Sequence, residues 1–155
     1  MNTLLEFECD LLELNSFAKK LATKTLDADI FLLKGELGVG KTTFARSFIN
    51  SLFDKHKIKR PGNIKSPSFP IMINYPILDY EINHYDLYRL INERELLEIG
   101  FFEDIEKNIS IIEWPDIIIK NSILTNYYLI EFDFIDLDKR AIKLQHSVKK
   151  SLYYS

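Results

Sequence analysis

The sequence predicts an α/β domain built on a mostly parallel central sheet, with antiparallel strands at the edge and helices on both faces. Three observations lead there. Apolar runs of strand length alternate with stretches of helical periodicity. One such run, a glycine-rich turn and an apolar-periodic helix follow one another directly. Near the C-terminus two segments alternate with period two around an Asp-Lys pair. No internal repeat and no linker interrupts the 155 residues, so a single domain over 1–155 is expected.

Taken in order, residues 3–9 alternate as a short strand. Leu14, Phe17, Ala18, Leu21 and Ala22 then repeat at helical spacing, with Asp10 or Asn15 as the capping residue. Residues 28–34 form an apolar run of buried-strand type. Beyond the glycine turn, Phe44, Phe48, Ile49 and Leu52 mark a second helix. Residues 54–65 are polar and basic around Pro-Gly and read as a surface loop. "SPSFPIMINYP", 66–76, opens with prolines around a hydroxyl and runs into a strand. Residues 82–90 begin as a strand, and 92–100 form a helix stopped by Gly100. The strand in "NISIIEWPD" ends at Glu113, where Trp114-Pro115 breaks it. Residues 126–138 and 140–146 form a hairpin about the Asp-Lys turn.

Composition narrows the function classes. Hydrophobic residues make up 46% of the chain, which suits a globular core and excludes disorder. A net charge of −3 excludes a strongly basic nucleic-acid binder. Cys9 is the one cysteine, which suits a reducing compartment. No apolar stretch approaches the roughly 18 residues of a membrane span, and the acidic N-terminus does not resemble a signal peptide. A cytoplasmic protein is expected.

"GELGVGKTT", 35–43, carries the chemistry. It holds three of the chain's five glycines and fits G-x-x-x-x-G-K-[ST], the phosphate-binding loop. Glycine lets the backbone turn and approach a ligand closely, so that successive N–H groups form a nest for anionic oxygens. The helix that follows adds its N-terminal dipole. Lys41 would reach the β- and γ-phosphates of a nucleotide, and the Thr42 hydroxyl would bind Mg²⁺. The fold expected is therefore P-loop NTPase-like.

Phosphoryl transfer also needs an acid for the metal and a group that places water. Such residues gather at the C-terminal ends of parallel strands. Asp86 and Glu113 stand at two strand ends, and either fits the metal-acid role. Ser66 and Ser68, in a proline-flanked loop, are placed to sense a γ-phosphate or to do no more than close a turn. His84 reads as a structural histidine, and periodicity puts Trp114 in the core.

"GELGVGKTT", "SPSF", "HYDLYRL", "ELLEIG" and "IEWPD" occur in an order and at separations that resemble the TsaE (YjeE) family, small bacterial ATPases of tRNA threonylcarbamoyladenosine biosynthesis. The resemblance spans roughly residues 3–144. It implies that ATP or ADP binds with Mg²⁺, that Gly35, Gly38, Val39, Gly40, Lys41, Thr42 and Thr43 cradle the phosphates, and that Thr42 and Glu113 hold the metal. It implies catalytic roles for Asp86, Lys41 and Ser68, the last at a position usually threonine. It puts Trp114 beside the nucleotide, and adenine near Leu11 and the Asp138 turn. Glu36 and Val39 depart from the family's usual Asp and Ala, at positions where the backbone does the binding. The implied partners are TsaB and TsaD, with ATP hydrolysis resetting their complex between turnovers and tRNA engaged only indirectly. Two other readings share the loop: a small-molecule kinase, which would need a lid with arginines, and a nucleotide-binding subunit without turnover.

Overall fold

In the computed structural model, which describes residues 1–148, the elements run β1 (Asn2–Cys9), α1 (Leu11–Lys24), β2 (Ile30–Gly35), α2 (Lys41–Lys55), β3 (Met72–Ile77), β4 (Tyr80–Asp86), α3 (Arg94–Glu98), α4 (Phe101–Lys107), β5 (Ile109–Glu113), α5 (Asp116–Lys120), β6 (Tyr128–Phe134) and β7 (Arg140–His146). The end of the expected domain span, 149–155, lies outside the described residues. Among the described residues no helix is long and apolar enough to cross a membrane.

The strands form one sheet in the order β1-β7-β6-β2-β5-β4-β3. β2 runs parallel to β5 and β6, and β4 parallel to β5. The β1–β7, β6–β7 and β3–β4 pairs are antiparallel. The expected parallel character therefore holds for the middle of the sheet, while antiparallel pairs occupy both edges and make up half of the pairings. Connection length explains two of these three pairs. β3 and β4 are joined through Leu78 and Asp79 alone, and β6 and β7 through residues 135–139, closed by Ile135 N–H to the Lys139 carbonyl at 3.0 Å. Connections that short permit only antiparallel pairing.

β2 is central, and Ile30, Phe31, Leu32 and Leu33 are all buried, as a strand covered on both faces requires. One core packs Leu14 and Phe17 of α1 and Phe44 and Phe48 of α2 against Phe31, Leu33 and Ile111. The other packs Leu96, Phe101 and Ile118, from α3, α4 and α5, against Leu32, Tyr85 and Ile112. Helices thus cover both faces, as expected.

Local chemistry sets the element ends. Asp10, not Asn15, caps α1. Its carboxylate accepts from Glu13 N–H at 2.8 Å while the Glu13 carboxylate accepts from Asp10 N–H, a reciprocal capping box. Asn15 lies within the helix. Gly100 ends α3 as expected, but its left-handed backbone, φ 71°, leads straight into α4, which periodicity did not indicate. The five-residue α5 was equally absent from the sequence reading.

Replacing Asp10 with Ala is expected to lower folding stability by about 1 kcal/mol, because the cap and its partner are lost together. Urea unfolding followed by circular dichroism, compared at constant slope, measures this.

Candidate nucleotide-binding site

The phosphate loop leaves β2 between the ends of β5 and β6, and its conformation depends on glycine at two kinds of position. Gly40 has φ 123°, and a Cβ there would lie 2.8 Å from Leu14 Cδ2. At Gly35 a Cβ would meet the Phe132 carbonyl at 2.7 Å and Val39 Cγ1 at 2.9 Å. The loop is also tied from behind. The Val39 side chain is buried, and its carbonyl accepts from Arg140 Nε at 2.9 Å. α2 begins at Lys41 with no side-chain cap, so its first-turn N–H groups face the mouth of the loop unclaimed by a capping side chain.

Lys41 is only 4% exposed. Its ammonium donates to the Gly35 carbonyl and to the Glu36 carbonyl at 3.0 Å, and lies 3.8 Å from the centroid of the Trp114 ring. Burial pushes its pKa down, against the pull of nearby carboxylates led by Glu113 and Asp86. The ammonium donates to loop carbonyls and lies over an aromatic face, acceptors whose place an anionic ligand can take.

Two carboxylates converge on this point. Asp86 and Glu113 are register partners at the ends of β4 and β5, 4% and 2% exposed respectively. Glu113 Oε1 accepts from the Thr42 hydroxyl at 2.9 Å, and Oε2 accepts from His84 Nε2 at 2.6 Å. Asp86 Oδ2 accepts from the Ser66 hydroxyl at 2.7 Å, and Oδ1 from Tyr88 N–H at 3.0 Å. The Thr42 hydroxyl and the Glu113 carboxylate are hard oxygen donors already in contact, a set that fits Mg²⁺.

A cavity of about 430 Å³ opens over these groups. Leu11, Gly38, Gly40, Lys41, Thr42 and Thr43 line it from one side, and Ser66, Ser68, Asp86, Glu113 and Trp114 from the other. Gly35 and Val39 stand behind the loop and are not part of the lining. Asp138 lies in an adjoining depression that shares Leu11 and also includes Arg140. Trp114 is half-buried at the rim instead of in the core. It takes a left-handed backbone, φ 54°, and its ring packs against Tyr88 with centroids 4.9 Å apart.

The chain's family follows from comparison with known proteins. The family model described as "Threonylcarbamoyl adenosine biosynthesis protein TsaE" matches residues 10–142. The chain belongs to the TsaE family. It is 38% identical to the tRNA threonylcarbamoyladenosine biosynthesis protein TsaE of Rickettsia felis over 132 residues, 85% of this chain and 74% of that one. Against the protein of the same name from Haemophilus influenzae it is 32% identical over 154 residues, 93% and 90% of the two chains. The crystal structure of Bacillus subtilis YdiB superposes with a TM-score of 0.72 at 23% identity, covering 96% of this chain and 89% of that one, and so shares the fold.

Against that TsaE background, two residues of the site, Tyr88 and Arg140, are not indicated by the sequence, and a third, His84, is indicated only as structural. His84 is buried, as a structural histidine should be, and the partner it finds is the acid at the end of the neighbouring strand. Its position two before Asp86, hence on the same face of β4, was the available signal. Tyr88 packs on Trp114 from the turn after β4. Arg140 braces the loop from 101 residues away, and no local pattern announces it.

Lys41→Ala is expected to weaken binding of ATP with Mg²⁺ by at least about tenfold, since a charge-assisted hydrogen bond contributes about 1.5–3 kcal/mol. Titration calorimetry measures it, and unchanged affinity would remove Lys41 from the phosphate site.

Proposed function

We propose that this chain is a Mg²⁺-dependent ATPase that supports threonylcarbamoyladenosine modification of tRNA in the cytoplasm, working with the TsaB–TsaD pair and resetting that complex between turnovers. The observation that carries the nucleotide-hydrolysing part is the Thr42–Glu113 hydrogen bond. It joins the hydroxyl at the start of α2 to a strand-end carboxylate inside a cavity walled by a phosphate loop. The pathway part rests on family membership and on the names of the relatives.

In this reading the loop amides and the N-terminus of α2 hold the phosphates, and Lys41 exchanges its loop carbonyls for β- and γ-phosphate oxygens. Thr42 and Glu113 would hold Mg²⁺, which when bound offsets phosphate charge. Asp86, kept in place by Ser66 and the Tyr88 amide, faces the cavity as the carboxylate that orients the attacking water. Ser68, exposed at the rim, supplies a hydroxyl to sense the γ-phosphate. Trp114 covers Lys41 on one side, and Tyr88 packs against the Trp114 ring.

The placement of the arginines favours an ATPase over a small-molecule kinase. Arg60 pairs with Asp54 at 2.7 Å in a groove between α1 and α2, away from the phosphates. Arg46 donates to the Ile64 carbonyl in the same groove, and Arg89 lies over the Phe69 ring. Among the described residues Lys41 is the one cation lining the cavity. Arg140, the arginine bonded to the phosphate loop, is engaged by the Val39 and Asp138 carbonyls and does not line the cavity; a site that no cis arginine enters turns over slowly, which fits activation by a partner.

Glu113→Gln is expected to reduce Mg²⁺-dependent turnover while sparing nucleotide binding in chelator, because the amide keeps the shape and loses the charge that a hard cation requires. Phosphate release measured across a Mg²⁺ series checks it, and normal hydrolysis at limiting Mg²⁺ would transfer the ligand role to Asp86. The chain alone is expected to hydrolyse ATP slowly, and faster in the presence of TsaB and TsaD, where a cation supplied in trans can contribute roughly 10³–10⁵-fold. Phosphate release from each component and from the mixture, with Lys41→Ala as control, decides it. A mixture no faster than the sum of its parts would refute partner activation and favour the kinase.

A further inference from the structure

We infer that His84 is a positioning residue that sets the Mg²⁺ affinity of the site by holding the Glu113 carboxylate in its ligand orientation. This role presupposes that Glu113 is a metal ligand, as proposed above.

The geometry separates His84 from a catalytic role and gives it a specific partner. Its side chain is fully buried and does not line the cavity, so it cannot touch a bound nucleotide. It stands two residues before Asp86 on β4, on the face that carries Asp86, and across from Ile111 of β5. From there Nε2 reaches Glu113 Oε2 at 2.6 Å, and because a carboxylate accepts, Nε2 carries the hydrogen. The same carboxylate accepts from Thr42 through Oε1. A donor on each oxygen fixes the plane of the carboxylate. The two donors are not equivalent. Thr42 lies at the cavity wall and its hydroxyl is itself a ligand candidate, so the bond it makes to Glu113 is the one a metal would replace. The bond from His84 comes from the core side and is left in place. It is then what keeps Glu113 aimed at the cavity once Thr42 has turned to the cation. Groups that hold a metal ligand from behind typically contribute 10–100-fold to affinity.

The test compares the full-length wild type with His84→Gln, His84→Asn and His84→Leu. Glutamine places its amide N–H₂ near where Nε2 stands, asparagine places it near Nδ1 and short of Glu113, and leucine removes the donor. ADP binding is measured by calorimetry in chelator and across a Mg²⁺ series, with circular dichroism as a check on folding. Expected is a Mg²⁺ half-saturation raised about tenfold or more in His84→Asn and His84→Leu and within about threefold of wild type in His84→Gln, with ADP affinity in chelator unchanged throughout. If leucine prevents folding, the glutamine–asparagine contrast carries the test. Equal Mg²⁺ dependence in glutamine and asparagine variants overturns the positioning role. So does a loss of ADP affinity of the same size with and without Mg²⁺, which marks His84 as packing. A wild-type chain whose ADP binding ignores Mg²⁺ overturns the reading of Glu113 itself, and is recognised before any variant is compared.

Discussion

Glu113 ends a strand whose five residues are all buried, and it brings a carboxylate to a point only 2% open to solvent. An ionised carboxylate in such a place costs roughly several kcal/mol unless donors replace the water it has lost. The site is organised around meeting that requirement. Thr42 meets it from the phosphate loop, His84 from β4, and the Lys41 charge lies close enough to act through space. Each of these groups has a cost of its own. Lys41 is desolvated, and it is held by loop carbonyls and the Trp114 face. The cluster is stable as a set, and removing Thr42 or His84 takes one of the two donors from the buried Glu113 carboxylate.

The frame that makes this possible is the parallel middle of the sheet. With β4, β5 and β2 side by side and pointing the same way, Asp86, Glu113 and the phosphate loop all emerge at one end. Antiparallel strands at the two edges leave that end untouched. β7 reaches back all the same: Arg140, at its start, donates to the Val39 carbonyl and steadies the loop from below. Gly35 and Gly40 then supply close approach to Phe132 and to Leu14, which sets how near the loop packs to the sheet and to α1.

The rim has a different character. Leu37 and Tyr88 are large, exposed and part of the cavity lining. The same opening that admits a nucleotide is bordered by apolar side chains, while the charges lie deeper. Polar chemistry is thereby kept away from bulk water even though the cavity is open, a division that strengthens every electrostatic contact inside it.

By itself the sequence determined the phosphate loop, the order of strands and helices around it, and the two acids at strand ends. Those features are local: glycine spacing, apolar periodicity and the break at Trp114-Pro115 can each be read within a window of ten or so residues. The sequence left open which acid faces Thr42. It was silent on α4 and α5, which are too short for periodicity to register, and it overstated the parallel share of the sheet. Tertiary structure decided those points, together with the strand order. It also decided that Thr42 meets Glu113 across 71 residues, that His84 stands behind the same carboxylate, that Ser66 holds Asp86, and that Asp138 turns toward a depression beside the main cavity. The reason is physical. Contacts between distant segments depend on which strands are neighbours and in what register, and a local pattern carries the face on which a side chain lies but not the strand that will face it.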